Sequence, residues 1–209
     1  MNPSPPRSTV SPADLALRSA VRNDDADAVR AALAAGAVVE RRDEHDRTPL
    51  LLAAAGDRVA AARALVAAGA DPNARDDRED TPWLITGVTG SVPMMRVLLA
   101  ADPAPDVTLT NRFGGTSLIP AAERGHVDYV RAVLRATDID VNHVNRLGWT
   151  ALLEVVVLGD GTPAYQEIVE LLISAGAAPH FPDHEGVTPL RHAERRGFRE
   201  IAGLLAAVR

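Results

Sequence analysis

His180, Asp183, His184 and His192 come closer than any other group in this 209-residue chain to a metal-ligand pattern. Imidazole nitrogen and carboxylate oxygen are the donors zinc takes where no thiolate is offered. Pro182 interrupts the spacer, so His180 and His184 cannot share one helix face in the way the two histidines of HExxH do. A metal-binding or hydrolytic protein built on these four residues is therefore the alternative to the reading developed below. Asp160, flanked by Gly159 and Gly161, offers a calcium turn one carboxylate where six to eight oxygens are wanted. Asp24-Asp25 and Asp76-Asp77 pair carboxylates at turn positions, where water solvates them. The chain has neither a GxSxG elbow nor a glycine-rich phosphate loop, and no nucleophile stands beside a positioned base. All 22 basic residues are arginine, which removes the Schiff-base amine and the P-loop lysine, and with no cysteine there is no disulfide or thiolate chemistry. No enzyme activity, cofactor or metal is expected.

The composition points to a different use. Hydrophobic residues make up 46% but aromatics only 3%, so the core must be built from Ala, Leu and Val, which suits thin, closely stacked helices. A net charge of -6 argues against nucleic acid, whose binders show a clustered basic face. No stretch reaches the roughly 18 uninterrupted apolar residues of a membrane span, and the first twelve residues lack the apolar centre of a signal peptide. These features predict a cytoplasmic protein with no membrane partner, and the Ala and Arg content suggests a bacterial source.

The elements that must carry any surface emerge from one threonine. Thr48, Thr81, Thr116, Thr150 and Thr188, followed by Pro-Leu, Pro-Trp, Ser-Leu, Ala-Leu and Pro-Leu, are spaced by 33, 35, 34 and 38 residues. A period in the thirties with two apolar helical faces per unit is the signature of a solenoid. Counting back 33 from Thr48 reaches Leu15, and Gly36-Ala37 then stands where Gly69-Ala70 closes the next unit, which makes six units. Glycine recurs at Gly90, Gly125, Gly159 and Gly197, Gly-Ala closes a unit again at Gly176-Ala177, and Asp43, Asp76, Asn111, Asn145 and Asp183 stand five places before the threonines. With these positions occupied, the pattern over roughly residues 12 to 209 resembles the ankyrin repeat. The resemblance implies an all-α-dominated solenoid of stacked helix-turn-helix units joined by β-hairpin-like loops. It also implies a protein-protein interaction scaffold, and it makes His126, after Gly125, a structural hydrogen-bonding residue.

The expected organisation is a disordered tail at residues 1–10 followed by one domain at 11–209, with units near 11–42, 43–75, 76–110, 111–144, 145–182 and 183–209. Ser11, Pro12 and Asp14 predict a capped first helix. Arg199, Glu200 and Arg209 give the last helix a polar outer face, as a terminal unit requires. In each later unit the threonine caps an inner helix and Pro fits its first position. Asp46 and Glu79 occupy a turn position held elsewhere by Gly114, Gly148 and Gly186, so these two turns meet positive φ with a side chain. Residues 102–111 add two residues and two prolines to a connection. Residues 159–163 insert about five residues as a flexible segment, after which Thr162 and Pro163 restart a helix.

In the family the resemblance points to, partners are gripped by hairpin tips and the exposed side of the inner helices. Carried onto this chain, the tips of the second and third units are polar and largely acidic, with Glu44, His45, Asp77, Arg78 and Asp80. The fourth and fifth units instead carry Arg112, Phe113 and Arg124, then Arg146, Leu147, Trp149, Val157 and Leu158. Large apolar side chains beside arginines have the composition of interface hot spots. The expected partner is thus another protein, bound by a monomer through the concave face centred on the third to fifth units, with Arg78 at its edge. A basic surface of Arg112, Arg124, Arg146, Arg195 and Arg196 is the nucleic-acid alternative. Trp83, in the leucine place of Thr-Pro-Leu, belongs to the core.

Overall fold

The computed structural model describes residues 10–208; the N-terminal tail expected at residues 1–10 falls almost wholly outside them, as does Arg209. Among the described residues there are twelve helices and no strand. They come in pairs: α1 (Pro12–Arg22) with α2 (Ala26–Ala34), α3 (Pro49–Ala55) with α4 (Val59–Ala67), and α5 (Pro82–Thr89) with α6 (Val92–Leu99). The second half adds α7 (Leu118–Glu123) with α8 (Val127–Ala136), α9 (Ala151–Leu158) with α10 (Pro163–Ser174), and α11 (Pro189–Arg196) with α12 (Arg199–Ala206). The odd-numbered helices pack on one another in sequence order to form an inner layer, and the even-numbered helices form an outer layer in the same way. The result is an all-helical solenoid.

Local chemistry fixes most helix starts. Ser11 and Asp14 form a reciprocal capping box, with Asp14 N–H donating to Ser11 Oγ at 3.1 Å and Ser11 N–H to Asp14 Oδ2 at 3.0 Å. Thr48, Thr81, Thr150 and Thr188 each accept from the backbone N–H three residues on, at 3.1, 3.1, 3.3 and 3.4 Å. Thr116 departs from this pattern. A helix starting at Ser117 would place Pro120 fourth, where an N–H must donate to the cap carbonyl. Pro has none, so α7 starts one residue later, with Pro120 third among the donors that have no intrahelical partner. Thr116 Oγ1 is left buried without a hydrogen bond.

The core is a continuous ribbon of small and branched residues between the two layers, from Leu17 and Val29 to Ile201 and Leu205. Trp83 is fully buried, as its place in the repeat requires. The inner glycine turns are left-handed at Gly90, Gly125 and Gly197, while the first two units use Asp24 and Asp57 in that conformation. In the fifth unit the turn moves: Gly159 is extended and Gly161 carries positive φ. The insertion expected to be flexible is seated. Gly161 lies against the Phe198 ring, closely enough that a Cβ there would stand 2.6 Å from it, and its carbonyl accepts from Gln166 Nε2 at 2.9 Å. Thr162 precedes α10 in extended conformation but makes no side-chain cap bond.

Candidate functional site

The hairpin tips are built by one device used five times. The Asp or Asn five places before each threonine turns its Oδ1 onto two backbone N–H groups, two and four residues on. Asn111 holds Phe113 at 2.9 Å and Gly115 at 3.1 Å; Asn145 holds Leu147 at 2.9 Å and Trp149 at 3.0 Å. Asp43, Asp76 and Asp183 do the same, and Asp183 is held below the ordinary carboxylate range first by the Val187 N–H. These side-chain acceptors replace a strand ladder and fix which residues reach the tip.

The turns behind the tips have positive φ at Asp46 (56°), Glu79 (64°), Gly114 (74°), Gly148 (77°) and Gly186 (76°), so the two acidic residues do sit in left-handed backbone. Neighbouring tips are stitched in pairs. Asp77 N–H donates to the His45 carbonyl at 3.1 Å, and Arg146 N–H to the Phe113 carbonyl at 2.9 Å. Among the described residues no such bond joins the tip at Arg78 to that at Arg112, the junction that the longer connection at residues 102–111 enters.

The tips then differ in chemistry. Phe113 is 57% exposed and Leu147 56%, side by side on the stitched pair. The Arg112 guanidinium lies 4.4 Å over the Phe113 ring, and Arg146 donates to the Arg112 carbonyl while its other end faces Glu79 at 3.9 Å. Leu158 on α9 is 50% exposed, and Arg124 is exposed at the end of α7. Trp149 and Val157 are half-buried, so they form the floor and not the crest. Arg78 is exposed beside Asp80, which burial and Asp76 push above its ordinary range.

Below Leu147 lies a group that sequence reasoning missed. Glu154, on α9, is only 4% exposed, and its Oε1 accepts from Asn145 Nδ2 at 2.7 Å. Burial, with Glu123 nearby, pushes its carboxyl up to about 7, against the Asn145 hydrogen bond that favours the charged form. The signal was one acid within the otherwise apolar run of α9.

Two family models match the sequence. One described as three copies of ankyrin repeats covers residues 83–177, and one described as the ankyrin repeat covers residues 45–77. An ankyrin repeat domain from Acinetobacter baumannii AYE has 47% identity over 91% of this chain and 95% of its own, with a TM-score of 0.85. The chain belongs to the ankyrin-repeat family. The solved ankyrin repeat protein EF0377 is similar at 35% identity, covering 94% of this chain and 98% of its own, with a TM-score of 0.87. The Escherichia coli K12 ankyrin repeat protein YahD is 52% identical over 103 residues, and the match spans about half of each chain, 49% here and 51% there.

Within this ankyrin array the four residues of the metal alternative are not brought together. His192 Nε2 and Asp183 Oδ2 pair at 2.7 Å, an arrangement that repeats the Asn145–Glu154 contact one unit on. His184 covers Gly148, where a Cβ would stand 2.3 Å from its Nε2, and His180 is exposed on a separate turn. Among the described residues no three His, Asp or Glu side chains are placed to hold a metal ion. His126 bonds the Val88 carbonyl at 3.2 Å, which joins adjacent ankyrin units, and His143 bonds the Gly114 carbonyl at 2.7 Å within the fourth unit. Of the basic set, Arg146 is bound to the Arg112 carbonyl, and Arg196 is bound to the Val156 and Val157 carbonyls and lies 4.6 Å over Phe198. Among the described residues no helix is long and apolar enough to cross a membrane.

Proposed function

We propose that the chain is a non-catalytic scaffold or regulator that binds another protein through its concave face and hairpin tips, centred on the third to fifth units. Ankyrin repeats generally mediate protein-protein interaction; the choice of surface rests on this chain's own residues. One observation carries it: Phe113, Leu147 and Leu158 each expose at least half of their surface on adjoining units, two of them on tips held together by a backbone hydrogen bond. Large apolar side chains left at least half exposed, beside Arg112 stacked on Phe113 and Arg146 bound to the Arg112 carbonyl, have the composition and preorganisation of a hot spot. We read the scaffold as a cytoplasmic monomer, with neither nucleic acid nor membrane as its partner.

The test is affinity capture with the wild type and with a Phe113→Ala/Leu147→Asp double variant, followed by calorimetry on any captured protein. A partner held by the wild type and lost by the variant supports this surface. A partner held equally by both places the binding site elsewhere on the array.

A further inference from the structure

Arg30, Arg63, Arg96 and Arg131 recur at spacings of 33, 33 and 35 residues, which gives α2, α4, α6 and α8 an arginine at the same turn, with a second on α8 at Arg135. Because the outer helices stack in order, these arginines form a ladder along the face opposite the concave surface. The end members are occupied by their own helices. Arg30 pairs with Asp27, and Arg131 with Asp128 and with Glu167 of α10. The central two are not: where Asp27 and Asp128 stand three residues before their arginines, α4 has Ala60 and α6 has Pro93. Arg63 and Arg96 are exposed and, among the described residues, enter no ion pair or side-chain hydrogen bond.

The surface around them is apolar. Three successive grooves run between the four helices, lined by Leu33 and Ala67, then Val66 and Ala100, then Leu99 and Ala132, with Arg63 and Arg96 on their rims. The ladder ends at α10, where acids face outward at Glu167 and Glu170.

We propose that the outer helices form a second docking face, separate from the concave one, for an acidic amphipathic helix of a partner protein. Packed helices lie about 8–10 Å apart, so successive arginines recur at about that period. A crossing helix rises about 10.5 Å in seven residues, so carboxylates seven apart meet successive arginines while apolar side chains between them fill the grooves. A nucleic-acid strand is a worse match, since it presents a phosphate every ~3.4 Å of its axis, about three for each arginine of the ladder. The reversal of charge at Glu167 and Glu170 sets where the acidic helix must end.

The probe is a synthetic three-heptad helical peptide with Glu at every seventh position and Leu and Ala between, labelled for fluorescence anisotropy at low salt. The full chain binds it, and an Arg63→Glu/Arg96→Glu double variant weakens binding about tenfold or more. Leu147→Asp leaves it unchanged, which separates this face from the concave one. Both sites of the double variant are exposed, and an unchanged melting curve confirms its fold. Equal affinity of the double variant, equal binding of a peptide with Lys in place of Glu, or loss through Leu147→Asp alone each overturns the proposal. So does an oligonucleotide or an anionic vesicle that binds more tightly than the peptide with the same dependence on Arg63 and Arg96.

Discussion

Asn145 joins a hairpin tip to the inner helix α9: its Oδ1 shapes the turn that presents Leu147 and Trp149, and its Nδ2 donates to Glu154 at 2.7 Å. The tip is therefore tied to a buried acid that holds its proton up to about pH 7. In the unfolded chain this carboxyl ionises near 4.5, so the folded state keeps a proton that the unfolded state has lost. Stability falls as pH rises from about 4.5 to about 7, and above that the penalty is constant. The full shift corresponds to roughly 3 kcal/mol. Glu154→Gln keeps an acceptor for Asn145 and does not titrate. The expected result in urea unfolding is a variant about 2–3 kcal/mol more stable than the wild type at pH 8 and nearly equal to it at pH 4.5. Parallel pH profiles would show that Glu154 is not the group responsible.

Glu79 is the least suited of the five turn residues to its backbone. It holds φ at 64° where three other units have glycine, and its carboxylate reaches Arg75 and Arg146 only at 3.9 Å from a site 46% exposed. Ion pairs of that kind contribute little, whereas a left-handed non-glycine residue costs about 1 kcal/mol. Glu79→Gly is expected to stabilise the array by about 0.5–1 kcal/mol in chemical denaturation, the lower figure allowing for the extra freedom of glycine in the unfolded chain. A destabilised variant would mean that the Glu79 carboxylate outweighs the strain.

Gly87 shows the opposite case. It lies inside α5, where glycine weakens a helix, yet a Cβ there would stand 1.9 Å from the Ser117 carbonyl oxygen of the next unit. That obstacle is backbone and cannot rotate away. Gly87→Ala should therefore force α5 and α7 apart and cost more than about 3 kcal/mol, the opposite of the gain expected at an exposed helical glycine. Thermal melting checks the sign; a neutral or stabilised variant would mean the two units can slide.

These residues mark what the sequence could and could not disclose. Threonine caps and the two acidic left-handed turns were legible because their chemistry is local and the alignment of copies compares like with like. Thr116 could have been placed by noticing Pro120, since a missing N–H three residues beyond Ser117 forbids the earlier start. Gly87 could not, because its constraint is the backbone of another unit. Gly159 misled for a related reason: an insertion moved the turn two residues on to Gly161, where the decisive contact is Phe198. At the candidate site, the identity of the tip residues follows from counting back from each threonine. How deeply each is buried depends on how neighbouring hairpins lean, and that separates Leu147 from Trp149.

Leu147 and Trp149 share one turn, and their different burial makes them a discriminating pair. Leu147 is 56% exposed, so Leu147→Ala should leave stability within about 0.5 kcal/mol, and any loss of partner affinity belongs to the interface. Trp149 is half-buried, and truncation removes ring surface from the tip as well as from a partner. Trp149→Ala is expected to cost about 1–2 kcal/mol in folding and at least about 2 kcal/mol in binding while unfolding stays cooperative. Calorimetry with the captured partner and melting of the free variants read the two quantities separately. If Trp149→Ala lowers stability and leaves affinity untouched, the indole supports the hairpin, and the interface consists of Phe113, Leu147 and Leu158 without it.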